Sequence, residues 1–268
     1  ILIKFLHMKI DDQLSCPACK SNLISHLDSF VCANKTCFHG DIDKAFSCIN
    51  KIPILISENE CDTVFSFSHL NSLVERSGDG GLFKSLKQHI VGKSKTTVLN
   101  ISNFLRRLKI TNKRPLILII GAGEIGSGTE EIYSSDAKLV GTDIYLNPNI
   151  DYLADAHYLP FRDKVFDGVL IQAVLEHVAD PQLVVSEIYR VLKTNGLVYA
   201  ETPFMQQVHE GAYDFTRFTV VGHRYLFKRF DRIDAGGLDG VGVVLPWSIR
   251  AFIHGITRSR LIAKLFFI

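Results

Sequence analysis

Five aliphatic residues in a row, Leu116 to Ile120, break at once into glycines with the spacing Gly121-x-Gly123-x-x-Gly126. An apolar run with no polar alternation suits a strand covered on both faces, the place of a central strand in a parallel sheet. The glycines predict a tight turn into a helix. There the backbone can approach a ligand closely and free N–H groups face it. Asp143 ends the next apolar run and is positioned to accept hydrogen bonds from a ribose. On these residues alone the dinucleotide fingerprint is satisfied, and NAD is a full competitor for the site.

Downstream motifs separate the alternatives. Asp155-Ala156-His157 leads to Leu159-Pro160-Phe161, Phe166 to Ile171 forms another apolar run, Leu175-Glu176-His177-Val178 precedes Asp180-Pro181, and Lys193-x-x-Gly196 precedes Leu197 to Ala200. In this order and spacing the chain resembles the class I S-adenosylmethionine-dependent methyltransferases over Leu116 to Pro203, especially the large group with D-A-x-x-L-P-F and L-E-H-V-x-D-P signatures. The resemblance implies an α/β, doubly wound, Rossmann-like sheet, mostly parallel with an antiparallel last strand. It implies S-adenosyl-L-methionine as cofactor, with Gly121, Ala122 and Gly123 turning beneath its amino-acid end. Asp143 and Ile144 would lie at the ribose, Asp155 and Ala156 at the adenine, and Gln172 and Ala173 near the sulfonium. The chain departs from the family at Ile119, where an acid is usual, and by one extra residue before Gly126. Glu124 is the candidate to take over the contact with the cofactor's amino group.

The N-terminal part has its own chemistry. Cys16 and Cys19 form one pair and Cys32 and Cys37 a second, the spacing of a zinc ribbon in which four thiolates complete a tetrahedral Zn2+ site. A metal-free hairpin with buried thiols is the alternative, and His39 is close enough to compete with Cys37 as fourth ligand. Cys48 and Cys61 read as small buried apolar residues. The stretch from Leu14 to Ile56 resembles the zinc ribbons attached to some methyltransferases. The cysteines imply a reducing compartment. The opening apolar residues are too few for a signal h-region, and Met8 is read as a natural start.

These features divide the chain into a ribbon module over 1–60, a helical connector or lid over 61–114, and a methyltransferase domain over 115–268. In the connector, Phe83, Leu86, Ile90, Leu105 and Leu108 mark apolar helix faces. Asp180-Pro181 starts a helix running to Lys193, with Asn195-Gly196 ending it before the fifth strand. Pro246 to Ile268 is apolar but broken by Arg250, Arg258, Arg260 and Lys264, too often for a membrane span. It reads as an interfacial helix making peripheral membrane contact, or as a dimer or core helix. The apolar end suggests that the sequence continues beyond Ile268.

The acceptor chemistry centres on the loop after the fifth strand, which gathers His209, Glu210, Tyr213, Asp214 and Arg217. His209 is the candidate base, with His177 second, because an unperturbed imidazole titrates near neutrality; the alternative is that Asp214 and Arg217 pair to hold the loop. The loop resembles that of methyltransferases of glycan and lipid-linked sugar pathways. The expected function is methyl transfer to a hydroxyl or carboxyl of a small molecule or glycan, in the cytoplasm or at the membrane surface. An RNA base methyltransferase is the first rival, weakened by a net charge of only +2. A non-enzymatic scaffold or activator, with Ile119 marking a degenerate site, is the second.

Overall fold

The computed structural model describes residues 10–57, 94–123, 125–126, 128–208, 213–238 and 241–259. Met8, Cys61, Glu124, His209, Glu210, Arg260, Lys264 and the connector up to residue 93 lie outside the described residues.

Nine strands form one sheet: β1 Leu23–His26, β2 Ser29–Cys32, β3 Phe46–Ile49, β4 Ile52–Leu55, β5 Leu116–Ile120, β6 Lys138–Asp143, β7 Tyr152–Ala154, β8 Phe166–Gln172 and β9 Leu192–Glu201, in the order β1-β2-β3-β4-β7-β6-β5-β8-β9. The pairs from β4 to β9 are parallel, and those among β1 to β4 are antiparallel. The sheet is thus mostly parallel with an antiparallel end, as expected for its class. That end lies on the ribbon side, and among the described residues no strand follows β9. Strand order reverses at β5, which lies between β6 and β8. In open α/β sheets such a reversal leaves a crevice beyond the carboxyl ends of the strands.

Helices cover both faces. Helix α1, Lys95–Thr111, starts where the Ser94 hydroxyl accepts from the Thr97 N–H and buries Ile101, Phe104, Leu105 and Leu108 at helical spacing. It packs with Ile117, Ile119 and Leu170, joined by Ile132 of the short α2, Glu130–Ser134. The opposite face of β5, Leu118 and Ile120, packs with Val184, Val185, Ile188 and Val191 of α3, Pro181–Val191. Alternate residues of the same strand therefore enter two different cores, which is why its sequence shows no polar face. Gly168 on β8 admits α1 closely: a Cβ there would lie 2.7 Å from a Leu108 methyl.

Helix α3 ends at Val191 rather than continuing to Lys193, and Leu192 already pairs with Phe166. Capture by the sheet outcompetes the helical pattern, and Lys193 to Gly196 extend β9, with Asn195 taking a left-handed turn at φ 65°. Two further helices follow, α4 over Val220–Leu226 and α5 over Val241–Thr257. Leu245, Ile249, Phe252 and Ile256 of α5 are exposed at 41% or more, so that face is not a core face in the described structure. No described helix is long and apolar enough to cross a membrane.

The cysteine-bearing strands are not a separate bead. β4 extends the main sheet beside β7, pairing Ile54 with Leu153 and Leu55 with Ala154. Leu14 bridges Phe161, the Ser15 N–H donates to Pro160 O at 3.0 Å, and the Arg162 N–H donates to Gln13 O at 2.9 Å. Cys16, Cys32, Phe30 and Phe46 share one core with Leu159, Phe161 and α3. Lys20, just past the first cysteine pair, donates to the Glu187 carboxylate at 2.8 Å, and Arg190 grips the same carboxylate at 2.7 and 2.8 Å. Burial alone would raise the Glu187 titration, but Arg190 and Lys20 outweigh it and hold the carboxyl below its usual range. The resulting stabilisation is present at neutral pH and is lost as pH falls through the depressed titration. Glu187→Gln should cost about 3 kcal/mol in urea unfolding at pH 7, and the gap from the parent protein should narrow in acid.

Candidate cofactor and metal sites

The glycine turn sits where the strand order reverses. Gly121 has φ 76°, and the N–H groups of Gly121 and Ala122 both donate to Thr142 O, at 2.9 and 3.0 Å. This pair of hydrogen bonds folds the turn over the end of β6. A Cβ at Gly121 would lie 2.3 Å from a Val174 methyl. Left-handed φ and that contact together demand glycine here. Ala122 is fully buried beneath the turn. Asp143, at the tip of β6, accepts the Gly123 N–H at 2.9 Å and the Tyr145 N–H at 3.0 Å, and Ile144 follows half-buried. A Cβ on Gly123 would come within 2.6 Å of that carboxylate. The predicted glycines and the predicted acid are therefore in direct contact.

Asp155 and Ala156 lie at the carboxyl end of β7, buried, in the first turn of a short 3-10 segment. One Asp155 oxygen accepts both the His157 N–H at 2.9 Å and the His157 ring Nδ1 at 2.6 Å. The other ring nitrogen, Nε2, accepts the Asp180 N–H at 3.1 Å, which places the imidazole proton on Nδ1. His157 thus locks the Asp155 loop to the start of α3, a role the sequence pattern does not reveal.

Gln172 and Ala173 end β8. Gln172 Nε2 donates to Glu201 Oε2 at 2.5 Å, the Tyr199 hydroxyl donates to Glu201 Oε1, and the Ala173 N–H donates to Glu201 O at 3.0 Å. Ala173 is held at φ 53°, a left-handed strain of the kind concentrated at functional strand ends. The Gln172–Glu201–Tyr199 cluster is absent from the motif reading, because its members come from two strands and meet only through register.

Among the acceptor-side candidates, His177 places Nδ1 2.6 Å from Tyr213 O and Nε2 3.6 Å from the buried Glu176. It ties the loop after β9 to the segment after β8. Asp214 and Arg217 form a two-pronged ion pair, and Arg217 also donates to Gln206 O at 3.0 Å and Gln207 O at 3.2 Å. The pair ties Asp214 to the Gln206–Gln207 segment.

Cys16, Cys19, Cys32 and Cys37 converge, their sulfurs all within 4.8 Å of one another, with 3.8 Å from Cys16 to Cys37 and 3.4 Å from Cys19 to Cys32. A tetrahedron of sulfurs with Zn–S near 2.3 Å has edges of about 3.8 Å, so the four thiols fit zinc. His39 is not available as a rival. Its ring nitrogens lie 2.8 Å from Lys44 O and 3.0 Å from the Ser57 hydroxyl, and it stacks on Phe46.

Residues 118–200 match the family model described as a methyltransferase domain. Over 88 residues the chain is 35% identical to the ubiquinone/menaquinone biosynthesis C-methyltransferase of Saccharophagus degradans, covering 32% of this chain and 33% of that protein. The corresponding protein of Neisseria meningitidis is 36% identical over 92 residues, covering 33% and 38%. The chain thus spans about a third of the length of these relatives. A Haemonchus contortus phosphoethanolamine N-methyltransferase 2 structure with S-adenosyl-L-methionine aligns at 20% identity and TM-score 0.36, over 48% of this chain and 36% of that one. The matched residues 118–200 run from β5 to β9 and include the strand-order reversal at β5.

Gly121→Ala should destabilise this domain by about 1–3 kcal/mol in urea unfolding, from left-handed strain together with the Val174 clash.

Proposed function

We propose that the chain is an S-adenosylmethionine-dependent methyltransferase that acts on a hydroxyl or carboxyl of a small molecule or glycan, with a structural zinc ribbon built into its sheet. The observation that carries the cofactor half is the Asp143 carboxylate, held against the Gly123 N–H at the strand-order reversal. A ribose diol would take over that carboxylate, and the glycine turn would face the amino-acid end. Ile144 and Ala156 would supply apolar walls, whereas the Ala122 side chain is buried in the core and is not part of the site, and Asp155, fixed by His157, would present its carboxyl edge to the adenine. Gln172 and Ala173 would border the reacting end. The cofactor, when bound, supplies an electrophilic methyl on a sulfonium.

The chain's own contribution is to align an acceptor oxygen and exclude water. Positioning supplies most of the acceleration in such a displacement. The loop held by Asp214 and Arg217 and tied down through His177 forms the acceptor side, with His209 proposed to take the hydroxyl proton. Phe204, Met205, Val208 and Phe215, each at least 46% exposed, give that side an apolar rim suited to an acceptor with an apolar body. The same rim suits a second reading, C-methylation of a quinone precursor, which is the chemistry that the matched relatives' names state. The apolar α5 face with Arg250 would serve peripheral membrane contact in either case.

S-Adenosylhomocysteine at about one hundred times its Kd should stabilise the chain by about 2.7 kcal/mol in a thermal-shift assay, and NAD should not. Asp143→Ala should weaken S-adenosylhomocysteine binding about tenfold or more in calorimetry; unchanged affinity would overturn the ribose assignment. Purified protein should carry one zinc per chain by elemental analysis. Because Cys16 and Cys32 share the core of the methyltransferase sheet, chelation should lower Tm of the whole chain rather than melt a separate small transition.

A further inference from the structure

We infer that Glu201 is the counter-ion for the ammonium of the cofactor's methionine end, with Gln172 and Tyr199 positioning its carboxylate. The inference rests on the S-adenosylmethionine reading and goes beyond it, since Glu201 belongs to none of the motifs that carry that reading.

The register places three strand ends in a row. Ile120 pairs with Ile171 and Ile171 with Ala200, so the next residues, Gly121, Gln172 and Glu201, leave the sheet side by side. Of these three tips only Glu201 carries a charge. Ile119, where the family has its acid, is 4% exposed and packs in the core beneath α1. Gln172 spans the gap between the glycine loop and Glu201. Its Oε1 occupies the space a side chain at Gly126 would need, 1.6 Å from that Cβ position, while its Nε2 lies 2.5 Å from Glu201 Oε2. The Glu201 carboxylate is therefore linked to the loop that would cradle the amino-acid end.

Its partners leave a charge to be satisfied. Gln172 and Tyr199 are both neutral donors, one on each carboxylate oxygen. Among the described residues no lysine, arginine or histidine is ion-paired with Glu201. Burial and the adjoining Glu201 carboxylate raise the Tyr199 titration, so its hydroxyl stays a proton donor. A half-buried carboxylate with fixed neutral donors and no cation attracts one, since removal from water strengthens any ion pair it makes. An amino-acid ligand brings an ammonium for such a carboxylate.

Calorimetry on the full chain with two ligands tests this. S-Adenosylhomocysteine carries the amino-acid end, whereas 5′-methylthioadenosine shares the adenine, ribose and thioether but lacks it. Glu201→Gln keeps the shape and removes the charge. It should weaken S-adenosylhomocysteine about tenfold and leave methylthioadenosine within about twofold of the parent protein. Equal loss of both ligands, or no loss of S-adenosylhomocysteine, would overturn the assignment. On the unmutated chain, desamino-S-adenosylhomocysteine should also bind about tenfold more weakly than the parent ligand; equal affinity overturns the assignment even where the variant does not fold. If the unmutated chain binds none of these ligands, the cofactor reading fails together with it, whereas S-adenosylhomocysteine binding with no dependence on Glu201 overturns the Glu201 assignment alone.

Discussion

The site depends on β5 being buried on both faces. Ile117 and Ile119 enter the core under α1, while Leu118 and Ile120 enter the core under α3. A strand so placed exposes only its end, and the chain leaves it as Gly121 at φ 76°. Neighbours on both sides are parallel, so the tips of β6, β8 and β9 open in the same direction. Asp143, Gln172 and Glu201 lie at the same end of the sheet because each is the last residue of its strand.

The ribbon contributes to the same architecture rather than decorating it. β4 covers the edge of β7 that a free parallel sheet would leave unpaired, a common liability of sheet edges. The cysteine knuckle holds residues 159 to 162 through Lys20, Ser15 and Gln13, and Lys20 closes a three-charge clasp with Glu187 and Arg190. The Asp155 loop is then pinned from two sides, by the knuckle beyond Leu159 and by His157 at the start of α3. The cysteine knuckle thus reaches the Asp155 loop through residues 159 to 162.

Much of this was legible in the residues. Aliphatic runs followed by glycine, the paired cysteines, and Asp180-Pro181 as a helix start each depend on local chemistry, and each is in place. The competition between His39 and Cys37 was open on spacing alone; it closed when His39 found Lys44 O, Ser57 and Phe46 as partners. The end of α3 was misplaced by two residues because pairing of Leu192 with Phe166 overrode the helical pattern. Glu201 and His157 carry no role in the sequence reading, since Glu201 stands outside the motifs and His157 fills a variable position of D-A-x-x-L-P-F.

The sequence by itself determined the class of fold, the glycine turn with its acid, and the four-thiol cluster, because strand burial, left-handed turns and short-range ligand spacing are properties of neighbouring residues. Only the tertiary structure decided that the ribbon joins the main sheet through β4, that Lys20 and Glu187 meet across 167 positions, and that Gln172 and Glu201 meet across 29. Those contacts depend on strand order and register, which arise from how whole faces pack and not from any stretch read alone.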